Sequence, residues 1–328
     1  MAKPAHLEPS QLGTKEYWDA LYATEIANHA HDPADTGTAW FDDSDAEAKL
    51  LEFLEDPERA RELGLDESTT SFLDLGTGNG ALLFALRDAG WRGPMLGVDY
   101  SAQSVRFARR IERARRRGRD DDDDGSGEEQ MREGTTHENE IGNEDEEEEE
   151  GGEGEDGEVD VHFAEHDILH GSASSLLLDA RFSPSPSGWD VVLDKGTFDA
   201  ISLSAETLDA APDSSGPGPG PGPRRISEAY GARVLPLVRE GGLFLITSCN
   251  WTEAELRSWF GAEGGGAVQE VPPPPASGSG SNPTETREAG AFWGFEVVGR
   301  VEYRSFSFGG VKGQTISSLC FRKVRKSR

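Results

Sequence analysis

Seven residues, DLGTGNG (74–80), set a carboxylate two places ahead of three alternating glycines. Glycine at this density lets the chain turn sharply and lets a ligand approach bare backbone amides. TSFLDL (70–75) reads as a short buried strand entering the loop, and residues 81–89 read as a helix leaving it. In open α/β folds such loops lie at the carboxyl ends of strands, where ligands bind. Three readings compete: a plain strand-to-helix turn, a dinucleotide loop with Ala81 at the third position of G-x-G-x-x-G/A, and a site for a cationic nucleoside. Asp74 separates the last two, because a carboxylate there repels a pyrophosphate and attracts an ammonium group.

Further carboxylates follow later strands. Asp99, 19 residues past Gly80, ends the second strand and is placed for ribose hydroxyls, which either nucleotide would require. Asp167 follows the third strand and is placed for an adenine amino group. Each alone is more often a solvated strand end than a ligand. Three carboxylates after three successive strands, one beside a glycine loop, favour S-adenosylmethionine. Asp194 and Lys195 stand directly after the fourth strand.

The elements that must position these groups alternate. Residues 15–28 place apolar or aromatic side chains at 17, 18, 21, 22 and 26, a helical spacing, and residues 44–54 form a second amphipathic helix. Strands are expected at 70–75, 95–99, 159–163, 189–193 and 242–249, with helices after the first, second and fourth. The second helix is N-capped by Ser101 and dissolves near Arg117; another covers 226–238 until Pro236 interrupts it. Alternation of this kind builds a parallel sheet with crossovers. Residues 295–301 and 315–321, joined by a 305–313 loop, read as a closing hairpin that adds one antiparallel strand.

The chain has 328 residues, 62 acidic and 32 basic, and a net charge of −30. Residues 120–158 carry 21 of the acidic groups and one basic group, so two thirds of the net charge sits in one tract. With Pro/Gly-rich tracts at 211–223 and 261–290, it buries too little apolar surface to order itself, and all three read as disordered insertions in a single domain. The acidic balance argues against a nucleic-acid partner. The eight arginines between 106 and 119 are read as a solvated helix end, where cations suit the helix dipole. No apolar run reaches the ~18–20 residues of a membrane span, and the start, MAKPAHLEPS, lacks a secretory core. Cys249 and Cys320 form no CxxC; both read as small core residues with no disulfide between them and no zinc site, in a reducing compartment.

LDLGTGNG (73–80), DKGTFDAISL (194–203) and LITSCNWTEAEL (245–256) resemble the seven-stranded S-adenosylmethionine-dependent methyltransferases. Within them they are most similar to the family that methylates a lysine of translation elongation factor 1-alpha. LGTKEYWDALY (12–22), DTGTAWF (35–41) and FSFGG (306–310) share that similarity. The resemblance implies a Rossmann-like α/β fold: a seven-stranded, mostly parallel sheet with a C-terminal antiparallel hairpin strand and helices on both faces. Residues 1–69 would be an N-terminal helical extension covering the cofactor site, and 70–328 the methyltransferase domain. It implies that Gly76, Thr77, Gly78, Asn79 and Gly80 wrap the methionine part of the cofactor and that Asp74 orders the loop. Asp99 with Tyr100 would meet the ribose, and Asp167 with Ile168 the adenine. Asp194 and Lys195 would address the methyl group and its acceptor; the N/D-P-P-Y/F motif of DNA and glutamine methylation is absent there.

For a lysine acceptor, the expectation is that Asp194 recruits the amine and receives or relays its proton, while Phe198, Trp40, Phe41 and Trp251 wall the channel. The competing readings are core packing for Phe198 and, for Trp251, a staple on the helix start at Thr252. The expected protein is a monomer in the cytoplasm, with the nucleus as second compartment, acting on elongation factor 1-alpha. The alternatives are methylation of another protein or a small molecule, and a non-catalytic scaffold whose acidic tract recruits a basic partner.

Overall fold

The computed structural model describes residues 4–123, 161–179, 184–208, 224–261, 269–270, 291–308 and 311–327. The expectations of disorder at 120–158, 211–223 and 261–290 lie outside these residues, apart from 120–123, Gly261 and 269–270.

Strands β1 (Phe72–Leu75), β2 (Met95–Asp99), β3 (Val161–Glu165), β4 (Trp189–Lys195) and β5 (Val238–Ser248) are mutually parallel. After them come β6 (Gln269–Glu270), β7 (Ala291–Val301), β8 (Ser305–Phe308), β9 (Val311–Gln314) and β10 (Ser317–Ser327). The sheet order is β3-β2-β1-β4-β5-β10-β7-β6, with β10 antiparallel to both β5 and β7. This is the expected mixed, Rossmann-like sheet, with a two-residue eighth strand at one edge. The connection expected as a loop at 305–313 is itself a hairpin, β8 paired with β9.

Successive strand residues point to opposite faces, and that parity divides the core in two. Phe72, Met95, Val191, Leu193, Leu243 and Leu245 pack against α1 (Lys15–His31), α2 (Ala46–Glu55), α4 (Ala81–Asp88) and α5 (Ala102–Asp123). Leu73, Leu75, Leu96, Val192, Phe244 and Ile246 face α6 (Ala173–Leu177), α7 (Thr197–Ser202), α8 (Ser227–Val234) and α9 (Glu253–Phe260). Both faces of the parallel strands are therefore covered, which is why they read as near-continuous apolar runs.

Local sequence sets the boundaries. Ser101 caps α5, its Oγ accepting from the Ser104 amide at 3.3 Å. The helix continues to Asp123 rather than dissolving at Arg117. Thr252 and Glu255 form a capping box at the start of α9. A further short helix, α3 (Pro57–Leu63), starts on an Asp56 cap with Pro57 in its first turn. Between α7 and α8, the segments flanking 209–223 are zipped together: Leu208 N–H donates to Arg224 O at 2.8 Å and Ile226 N–H to Glu206 O at 3.0 Å.

Both cysteines are free. Cys320 is buried opposite Leu245, as a small core residue should be, whereas Cys249 is exposed, a correction to the sequence reading. It has just passed the end of β5, where the chain leaves the sheet for the surface. Among the described residues, no helix is long and apolar enough to cross a membrane.

Candidate active site

The carboxyl ends of β1, β2 and β4 meet at one mouth. As β1 ends, Gly76, Gly78 and Gly80 take φ values of 64°, 61° and 82°, in the left-handed region that only glycine enters freely. The loop is pinned from three sides. Thr77 N–H donates to Val98 O at 3.0 Å, and Gly78 N–H donates to Asp99 Oδ2 at 3.1 Å. Thr197 Oγ1 reaches Leu75 O at 2.5 Å. Asp99 also accepts from the Ser101 amide at 2.9 Å, so one carboxylate ties the glycine loop to the start of α5.

Asp74 is 3% exposed, and burial pushes its carboxyl up to about 7, although neighbouring Lys195 pulls the other way. The buried Thr77 hydroxyl, beside it, pulls in the same direction as Lys195 and more strongly. A buried carboxylate at a cradle of bare backbone fits a cationic ligand bearing an ammonium group. S-adenosylmethionine meets that description; a pyrophosphate does not.

α1 lies across this mouth. The Tyr22 hydroxyl stands so close that a Cβ on Gly78 would come within 2.6 Å of it. Asp19 accepts from Ser101 Oγ at 2.6 Å and pairs with Lys15 at 2.9 Å, and the Lys15 ammonium lies 5.7 Å from the centre of the Tyr100 ring. Asn79 Nδ2 donates to Thr36 O at 2.8 Å. Asp19 and Tyr22 were missed from sequence. Their i, i+3 spacing on one helical face was visible, but nothing local marks that face as turned toward a loop almost 60 residues later.

At the end of β4, Asp194 is 1% exposed. Its oxygens accept from the Thr197 amide at 2.8 Å, the Phe198 amide at 3.1 Å and the Tyr230 hydroxyl at 2.7 Å, and burial pushes its carboxyl up to about 7. The carboxylate thus holds the first turn of α7. Its three donors all come from α7 and α8. Phe198 and Trp251 both sit in the core. Phe198, 1% exposed, stacks on Tyr230 at 5.5 Å and meets Phe260 at 4.9 Å, inside the aromatic core of the α7–α9 face. Trp251, 3% exposed, joins the same cluster and donates to Ser202 Oγ at 3.2 Å. Phe198 is carried there by α7, and Trp251 by the turn between β5 and α9.

Trp40 and Phe41 are brought to the site. Phe41 has φ 65°, and its ring lies 3.2 Å from where a Cβ on Gly196 would stand. Lys195 reaches the same turn, donating to Trp40 O at 3.2 Å. At Asp167, Oδ1 accepts from the Leu169 and His170 amides at 2.9 and 3.1 Å, and Oδ2 meets His170 Nδ1 at 2.9 Å. These contacts hold its carboxylate well below the usual range against the opposing effect of burial. Ile168 packs on the α6–α8 side of the core. One further carboxylate was missed. Asp199, 5% exposed, accepts from the Cys249 amide at 2.8 Å and fixes the turn after β5. Burial first, then the Asp199 charge, push the Cys249 thiol up to about 12.

Comparison with known proteins agrees with this geometry. A methyltransferase-domain family matches residues 66–121, the span from before β1 to the end of α5. The Saccharomyces cerevisiae protein named protein-lysine N-methyltransferase EFM4 is 32% identical over 323 residues, covering 98% of this chain and 99% of that protein. Its Schizosaccharomyces pombe namesake is 33% identical, covering 85% of this chain and 93% of that protein. The human protein named EEF1A lysine methyltransferase 2 is 27% identical, over 96% of this chain and 88% of that protein. With a third of its residues shared along essentially its whole length, and with a glycine cradle built for S-adenosylmethionine, the chain belongs to the protein-lysine N-methyltransferase family of EFM4.

Proposed function

We propose that the chain methylates a lysine of translation elongation factor 1-alpha, in the cytoplasm and as a monomer. The substrate reading is carried by the names of the animal relatives, which align along nearly the whole chain. S-adenosylmethionine, when bound, supplies an electrophilic methyl group on a sulfonium. Asp74 and the 76–80 backbone would hold its amino-acid end, Asp99 keeps that loop in place, and residues 1–69 cover the mouth through Asp19, Tyr22 and the Thr36 carbonyl.

The acceptor poses the main difficulty, since a free lysine has a pKa of ~10.4 and is mostly protonated at neutral pH. Trp40 and Phe41 form an aromatic rim beside the end of β4, suited to desolvating an alkyl-ammonium side chain and lowering its pKa. Asp194 contributes by fixing the backbone of α7, not by taking the proton. Positioning, worth ~7–11 kcal/mol when reacting atoms are well aligned, therefore outweighs general-base help in this site.

The test is incubation of the purified protein with labelled S-adenosylmethionine and purified elongation factor 1-alpha, followed by peptide mass spectrometry. One methylated lysine peptide is expected. Label on other proteins and none on the factor would refute the substrate while leaving the enzyme class intact.

A further inference from the structure

Lys195 is the last residue of β4, and its side chain is 13% exposed. Two groups hold its ammonium: the Trp40 carbonyl accepts a hydrogen bond at 3.2 Å, and the Glu47 carboxylate forms an ion pair at 3.2 Å without hydrogen-bond geometry. These partners flank a turn whose backbone is unusual. Phe41 at φ 65° and Asp45 at φ 52° are the two non-glycine residues with positive φ among the described residues. Side-chain-bearing residues persist in that region only where their surroundings over-determine it.

The surroundings here are specific. Gly196, next to Lys195, has φ 94° and no side chain, and the Phe41 ring fills the space this leaves. Ser44 Oγ meets Thr315 Oγ1 at 2.7 Å on the other side of the turn. Within it, the Ser44, Asp45 and Ala46 amides donate to Phe41 O, Asp42 O and Phe41 O. A lysine that moves protons needs a free lone pair at the cleft, whereas this one is engaged by a carboxylate and a carbonyl. The charge of Lys195 also reaches Asp74 and lowers its pKa, so the same group stands between the cofactor cradle and the acceptor rim.

We propose that Lys195 is a positioning residue: pinned between Trp40 O and Glu47, it holds the Trp40–Phe41 turn against the end of β4 and sets the entrance for the acceptor side chain. The role at the entrance rests on the methyl-transfer reading of the cleft; the pin itself does not.

Amide hydrogen exchange and steady-state kinetics on Lys195→Met, Lys195→Arg and Glu47→Gln, beside the parent, test both parts. Loss of a charge-assisted contact predicts about tenfold faster exchange at Ser44, Asp45 and Ala46 in the Met and Gln variants, with Arg restoring much of the protection. The KM for the protein substrate rises by about the same factor in those two variants while kcat changes little. Unchanged exchange in Glu47→Gln overturns the pin, and does so even if Lys195→Met fails to fold. Faster exchange with an unchanged KM overturns the entrance role. A fall in kcat alone in Lys195→Met, with Glu47→Gln normal, would assign Lys195 to the chemistry instead. Should the parent leave elongation factor 1-alpha unmodified, the substrate reading fails and the exchange data still decide the pin.

Discussion

Replacing Asp74 by Asn should stabilise the ligand-free protein at alkaline pH while weakening its hold on the cofactor. The carboxyl has an ordinary value of 3.8 and is pushed to about 7 by burial, so the folded chain keeps a proton that the unfolded chain has already released. The unfolded state therefore binds fewer protons, and stability falls as pH rises from about 4 to about 7, then levels off. Between pH 5 and pH 8 the parent crosses the upper two pH units of that window. At ~1.36 kcal/mol per unit, this residue alone costs the parent roughly 2–3 kcal/mol across the interval. Asn carries no charge at either pH, so the Asp74→Asn chain should lose about that much less. The Asp194 contribution is common to both chains and cancels. Asp99, whose charge raises the Asp74 pKa, is itself relieved in the variant and adds in the same direction. Urea unfolding of both proteins at pH 5 and pH 8, without cofactor, measures the difference, and calorimetry at pH 8 should show binding weakened about 10–100-fold, the loss of one ionic hydrogen bond. Equal losses of stability in the two chains, or an unchanged Kd, would refute the idea that Asp74 is a strained carboxylate awaiting a cation.

Three other outcomes follow from the geometry. Gly78→Ala places a Cβ at φ 61° and 2.6 Å from the Tyr22 hydroxyl, so it should weaken cofactor binding and cost about 1–2 kcal/mol from backbone strain alone. Adding Tyr22→Ala should recover only the clash, as calorimetry and thermal melts would show. Tyr230→Phe removes the 2.7 Å donor to Asp194, whose raised pKa leaves it largely protonated at pH 5 and ionised at pH 8; the loss should be about 1.5–3 kcal/mol at pH 8 and smaller at pH 5 by urea unfolding. With no carboxylate free to take the acceptor's proton, log kcat/KM should rise with a slope near one between pH 7 and 9, following the lysine. A plateau above pH 7 would return Asp194 to the role of base.

The sheet was legible because its strands are dense in apolar residues and separated by helices, and Ser101 and Thr252 marked two helix starts by ordinary capping chemistry. α3 escaped because its core-facing side is short: Leu63 is its one fully buried residue. At the site, the glycine loop and the residues after each strand were readable because turn chemistry and position in an α/β fold are local facts. What side chains do once there is not local. Asp167 turns back on its own loop, and Asp194 is consumed by α7 and by Tyr230, which is 36 residues away. Phe198 joins the core because a short motif cannot show which face of α7 meets the sheet, and Trp251 because the turn after β5 packs back on α7 and α9. Lys195 was noticed for its place in DKG, yet its partners Trp40 and Glu47 lie about 150 residues earlier and only folding joins them.

The zipped segments at 206–208 and 224–226 bear on how such a chain can change over generations. Whatever is encoded between Leu208 and Arg224 leaves and re-enters the fold at a single point, already closed by backbone hydrogen bonds. Residues gained or lost there need not move α7, which carries Asp199, or α8, which carries Tyr230. Repeat-prone codons such as those for GPGPGP can expand or contract at that spot without reaching the chemistry. Length at this position should therefore drift almost neutrally among relatives, while the few residues that form the zipper should not.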